Sequence, residues 1–112
     1  MSRRRVVVTG MGALAPNGND LSSFWDAILN GRSGIGQITR FDASDFRVQI
    51  AGELKDFDPE PALDRKEARR NDPFVHYGVH VAQQAFDDSG LQISDEDAER
   101  FGVIFGSGIG GI

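Results

Sequence analysis

At 112 residues the chain has the length of one small domain, and its formal net charge of -5 excludes nucleic acid as a partner for the whole chain. Cysteine is absent, which removes disulfides, thiolate metal sites and a cysteine nucleophile from this span and suits a cytoplasmic protein. No apolar stretch approaches transmembrane length, so no membrane partner is expected.

Residues 5–9 predict a first strand, fully buried because Val6-Val7-Val8 is continuous rather than alternating. Arg3-Arg4-Arg5 ahead of this run, with Ala13-Leu14-Ala15 beyond it, has the outline of a signal peptide. The apolar part is short, Thr9, Gly10 and Gly12 interrupt it, and Pro16 would follow the cut, so we read a strand and no leader. Residues 10–18 form a glycine-rich loop. Asp20 is placed to cap a helix over residues 21–30, whose Leu21, Phe24, Trp25, Ile28 and Leu29 recur at i, i+3, i+4, i+7 and i+8 on one face. Gly31 supplies its stop. Trp25 is therefore expected to serve folding rather than chemistry.

Residues 32–45 read as a loop, with a turn at Ser33-Gly34-Ile35-Gly36, and residues 48–54 as a second strand. Residues 57–61 hold two prolines and form a connector. Residues 63–71 predict a short basic helix. Asp72 as cap and Pro73 at the first helical position open a helix Pro73–Ser89, with Gly90 just past its end. Phe74, Gly78, Val81, Ala82 and Ala85 share one face, and its small members predict tight packing against a neighbour. Ser94 with Asp97 suggests a variant capping box opening a helix over 95–100. Residues 101–105 predict a buried strand, and residues 106–111, of which four are glycine, a permissive turn. The order β-α-β-α-α-α-β argues an α/β fold.

Two glycine motifs invite a nucleotide reading. Gly10-Met11-Gly12-Ala13-Leu14-Ala15 matches G-x-G-x-x-A after a strand, but the pattern requires a helix opening at once, and here Pro16-Asn17-Gly18-Asn19 intervenes. Gly106, Gly108 and Gly111 spell G-x-G-x-x-G, with no P-loop Lys-Ser/Thr after them, and Phe105 stands where a nucleophile elbow around Ser107 needs glycine. A nucleotide-binding oxidoreductase domain is the alternative from another class. His76 and His80 are four apart on a helix, yet Tyr77 replaces the zincin glutamate and no third ligand is evident, so no metal is expected. Asp87-Asp88 and Asp95-Glu96-Asp97 read as solvated helix ends. Lys66, Arg69 and Arg70 fall at i, i+3 and i+4, placing three cations on one helical face, which fits either a solvated basic helix or a surface that steers an acidic partner.

The chain resembles the N-terminal part of the beta-ketoacyl-[acyl-carrier-protein] synthases, condensing enzymes of the thiolase-like superfamily. The resemblance is carried by Arg4-Arg5-Val6-Val7-Val8-Thr9-Gly10-Met11-Gly12, Trp25, Gly31-Arg32-Ser33-Gly34-Ile35, Phe41-Asp42, Ala51-Gly52, Asp64-Arg65-Lys66 and Asp88-Ser89-Gly90-Leu91, in one register over the whole chain. Gly106-Ser107-Gly108-Ile109-Gly110-Gly111 is similar to the type II synthase of fatty-acid elongation more than to the type I form.

This resemblance implies a five-layered α-β-α-β-α fold, normally a homodimer, of which residues 1–112 are the front part of the N-terminal domain. It implies a decarboxylative Claisen condensation in which a cysteine takes an acyl group from acyl carrier protein and two histidines promote decarboxylation of the malonyl-carrier protein. Those residues lie downstream in the family, so the catalytic set in this span is none, no cofactor is implied, and the 112 residues alone are expected to be inactive. Two assignments follow the motif positions. Lys66, Arg69 and Arg70 match the helix that docks the acidic carrier protein. Ile109 matches the residue at the base of the acyl pocket beside the dimer interface. A polyketide ketosynthase or chain-length factor is the alternative within the same superfamily.

Overall fold

The computed structural model describes residues 3–111. Four helices and one small hairpin follow in chain order: α1 (Leu21–Leu29), β1 (Gly36–Gln37), β2 (Ile50–Ala51), α2 (Arg65–Arg70), α3 (Pro73–Ser89) and α4 (Asp95–Ala98). Helix ends lie where local chemistry puts them. Asp20 and Ser23 form a reciprocal capping box on α1, with the Asp20 carboxylate accepting from the Ser23 N–H at 2.9 Å. Asp64 accepts from the N–H groups of Lys66 and Glu67 to start α2. Pro73 opens α3, although the Asp72 side chain makes no capping bond there. Gly90 ends α3 in the left-handed region at φ 64°. Ser94 caps α4, which stops at Ala98, two residues before the predicted end.

Strand pairing departs from expectation. β2 falls inside the predicted strand over 48–54, but its partner is β1, antiparallel, with Gly36 opposite Ala51 and Gln37 opposite Ile50. Gly36 therefore belongs to a strand rather than only to a turn. The predicted strands over 5–9 and 101–105 have no ladder among the described residues, and they are not buried. Val6 is 93% exposed and Ile104 97%. A strand needs a neighbour to satisfy its N–H and C=O groups, and neither run lies beside one here.

The core is correspondingly small. Among the described residues only Ala27 and Ala43 are buried apolar side chains. Trp25, Ile28 and Leu29 stay exposed, so the predicted apolar face of α1 is not its buried face. The radius of gyration is 17.6 Å, against about 13 Å for a compact chain of this length. The accessible surface is 9392 Å², roughly 3,300 Å² more than a compact monomer of 12.2 kDa exposes. The molecule is an open slab, 60 × 37 × 26 Å, with α3 as its spine.

One loop rests directly on α3, at two glycines. An added Cβ on Gly10 would overlap the Ala85 carbonyl oxygen and lie 2.6 Å from the Ser89 nitrogen. On Gly12 it would overlap the Val81 carbonyl oxygen and lie 2.9 Å from the Gln84 Cβ. Only glycine permits that approach. The predicted tight packing of the small-residue face thus has a concrete partner, the Gly10–Gly12 backbone. Farther toward the start of the helix, Gly78 accepts the Phe105 ring, which an added Cβ would meet at 3.7 Å.

Candidate functional site

The first candidate surface is the exposed side of α2. Asp64 fixes its start by accepting from Lys66 N–H at 2.8 Å and Glu67 N–H at 2.9 Å. Asn71 closes its end by donating to the Glu67 carbonyl at 2.8 Å. Ala68, half-buried, faces the rest of the molecule. At 100° per residue, Lys66, Arg69 and Arg70 then project from the opposite side, and all three are exposed. Arg70 approaches Glu67 only loosely, at 3.9 Å, while Arg65 pairs with Glu60 at 2.8 Å. A solvated i,i+3 pair at that distance does little to neutralise the face. The three sequence-predicted cations are therefore brought together on a single turn, available to an acidic partner.

The second feature is a ladder of polar contacts along α3 that holds the N-terminal loop. Asp88 accepts from the Met11 N–H at 2.9 Å, and Gln84 Oε1 accepts from the Ala13 N–H at 3.0 Å. With its oxygen so directed, the Gln84 amide nitrogen faces the Asn19 carbonyl at 2.7 Å and His80 Nε2 at 2.8 Å. His80 Nε2 also lies 3.1 Å from the Asn19 carbonyl, so it accepts from Gln84 in one tautomer and donates to Asn19 in the other. His76 Nε2 donates to the Ala68 carbonyl at 2.9 Å. A carbonyl only accepts, so that ring nitrogen must carry the proton.

These contacts bear on two motifs. The loop over 10–15 gives the N–H groups of Met11 and Ala13 to side chains, and one of those is a carboxylate, which would repel pyrophosphate. A nucleotide reading of G-x-G-x-x-A finds no cradle there. Both histidines have Nε2 occupied by neighbours within the fold, and no cluster of three or more metal-ligating side chains occurs among the described residues. Asp88, read from sequence as part of a solvated helix end, is instead a loop anchor, and Gln84 was not singled out. The available signal was periodicity: Val81, Gln84, Ala85, Asp88 and Ser89 fall on one α3 stripe, where polar and small residues alternate.

The third feature is an apolar groove of about 960 Å³ beside α3. Phe74, Gly78, Ala82 and Phe86 from α3 form its floor, with Leu14 and Phe105 on its flanks. Gly106 and Ser107 reach its edge. The chain then turns: Ser107 Oγ accepts from the Gly110 N–H at 3.0 Å, and Gly110, at φ 80°, sits against the Phe74 ring. Ile109 lies on that turn, 77% exposed, two residues beyond the groove-lining Ser107 and not itself a groove wall.

Among the described residues, the perturbed groups are the helix cap Asp20 and the loop residues Arg40, Asp42 and Glu53. The Ser23 backbone N–H, with its hydroxyl, holds the Asp20 carboxyl below the usual range. The Thr39 hydroxyl does the same for Glu53, whose carboxylate accepts it at 2.8 Å. No nucleophile–base pair stands among these groups.

The described residues thus present an apolar trough and an exposed cationic turn. The beta-ketoacyl synthase N-terminal domain matches residues 3–112, and the chain belongs to the beta-ketoacyl synthase family. Similar proteins include 3-oxoacyl-[acyl-carrier-protein] synthase 2 of Coxiella burnetii, 53% identical over all of this chain and 27% of its own length. The Vibrio harveyi protein of the same name is 54% identical over the same shares. That of Staphylococcus aureus (strain N315) is 50% identical over 97% of this chain and 26% of its own. The solved structure of the ishigamide ketosynthase/chain length factor superposes with a TM-score of 0.74 at 35% identity, over 81% of this chain and 23% of that one. The chain thus spans about a quarter of the length of the relatives it matches. The likeness carries the thiolase-like α/β fold class expected from the sequence, of which this chain supplies a part.

Proposed function

We propose that the protein carrying this segment is an elongating beta-ketoacyl-[acyl-carrier-protein] synthase. The observation that carries the reading is collinear identity of 50% or more to proteins named 3-oxoacyl-[acyl-carrier-protein] synthase 2, over nearly the whole of this chain. In the reaction, a cysteine outside this segment takes an acyl group as a thioester. Loss of carbon dioxide from malonyl-carrier protein leaves a carbanion equivalent, whose carbon attacks the thioester carbonyl. A carbon–carbon bond forms, the cysteine sulfur departs, and the 3-oxoacyl chain remains on the carrier. Backbone N–H donors hold the developing oxyanion.

Within that protein, residues 1–112 are the front of the N-terminal domain. Lys66, Arg69 and Arg70 receive the acidic acyl carrier protein, an assignment that their shared exposed face supports. Ile109 borders the base of the acyl pocket, where a branched side chain among glycines limits chain length. The enzyme acts in the cytoplasm as a homodimer. Incubation of the full-length protein with acyl- and malonyl-carrier protein should release carbon dioxide and 3-oxoacyl-carrier protein in equal amounts. Absence of both products with loaded carriers would refute the assignment.

The ishigamide ketosynthase/chain length factor favours a second reading, a polyketide ketosynthase or chain-length factor. Products that remain unreduced and grow by repeated condensation on one carrier would support it. A protein without a nucleophilic cysteine would be the chain-length factor.

A further inference from the structure

The cationic turn that meets the carrier protein is only six residues long. Helices of that length are unstable in water without tertiary support. Most bonds that shape α2 are local: the Asp64 cap, the Asn71 side chain on the Glu67 carbonyl, and the Arg65–Glu60 pair all lie within five residues. These set the helix but not its place on the molecule. The contact that crosses to another element is the 2.9 Å bond from His76 Nε2 to the Ala68 carbonyl. It is part-buried, and it joins α3 to the residue on the side of α2 opposite Lys66, Arg69 and Arg70. His76 thus bolts the back of the cationic turn to the spine of the fold.

We infer that His76 is a positioning residue for carrier-protein docking, orienting the three cations of α2 through the Ala68 carbonyl. The inference rests on the docking role proposed above for Lys66, Arg69 and Arg70. Three cations held in one orientation meet an acidic surface with less ordering cost than three on a loose turn. The bond requires only a proton on Nε2, so a side-chain amide that donates from the same region can replace it.

The test uses the full-length protein. His76→Ala should raise KM for acyl-carrier protein by roughly three- to tenfold, the scale of one lost oriented hydrogen bond, with kcat nearly unchanged. The salt dependence of KM should keep its slope, because every cation is still present. His76→Gln should restore KM, and hydrogen exchange should show faster opening of residues 65–71 in the alanine variant alone. Faster exchange with an unchanged KM would make His76 merely structural and overturn the inference. An unrestored KM in the glutamine variant, with α2 protected as in the parent, would also overturn it. Charge reversal at Lys66, Arg69 and Arg70 separates the two ideas. If it leaves KM unchanged, the docking reading fails. If it raises KM while His76→Ala does not, only the role of His76 fails.

Discussion

Helices α1 and α3 carry equally legible apolar stripes, and the fold treats them in opposite ways. The small-residue face of α3 receives the Gly10–Gly12 loop at backbone contact, with Gln84 and Asp88 satisfying the N–H groups that loop brings. The stripe of α1 is left open: Trp25 is 56% exposed and Leu29 67%, and its buried residue is Ala27. Periodicity reports which face of a helix is apolar. Whether that face is covered depends on what lies beside it, and among the described residues the Gly10–Gly12 loop lies against α3 while Trp25, Ile28 and Leu29 of α1 stay open. The runs at Val6–Val8 and Val103–Phe105 are likewise exposed.

The most damaging way to break the contrast is to push α3 and its loop apart. Gly10→Val in the full-length protein drives a branched side chain into the Ala85 carbonyl and should cost about 3 kcal/mol or more, read as a large fall in Tm or loss of soluble protein. A Tm within a degree of the parent would contradict the close approach. Trp25→Ala asks whether the open face of α1 is covered in the whole protein. Coverage predicts a loss of about 3 kcal/mol in denaturant unfolding, with kcat of the folded fraction preserved. A change near zero would make the face a true surface.

Smaller effects sharpen the two functional regions. Ile109→Phe should shorten the longest acyl chain elongated, measured as the product-length profile, with little change for short substrates. An identical profile would remove Ile109 from the pocket. Asp20→Ala deletes the α1 cap and should cost about 1 kcal/mol. Because the folded-state pKa of Asp20 is depressed, the stability it adds is present above its ordinary value of 3.8 and is lost as pH falls through the lower folded value. The difference between parent and alanine variant should accordingly shrink on acidification below that value and hold steady from there to neutrality.

Much of this was readable in advance, for physical reasons specific to each element. Helix ends depend on a few adjacent residues, so Asp20, Ser94 and Gly90 announced themselves, while Asp64 caps α2 from within the helix expected over 63–71 and Asp72 makes no capping bond. The clustering of Lys66, Arg69 and Arg70 was legible because residues so close along a helix fix their own relative geometry, whereas their proposed docking role came from the motif. Strands are different. Val6-Val7-Val8 and Phe101–Phe105 have strand composition, but a strand is completed by a partner remote in sequence, and the pairing that does form joins Ile50–Ala51, within the strand expected over 48–54, to Gly36–Gln37, which read as turn and loop. The anchors Asp88 and Gln84 were missed for the same reason, since their partners lie more than seventy residues away. The role of Ile109 came from its motif and not from its local physics.

The central claim is that this segment receives the carrier protein while the chemistry lies elsewhere in the chain. Its most direct test is the KM for acyl-carrier protein of the full-length enzyme with Lys66, Arg69 and Arg70 all changed to Glu, measured at low and high salt. The account predicts a rise of at least about tenfold at low salt, a flattened salt dependence and an unchanged Tm. A KM equal to the parent's at low salt would contradict it.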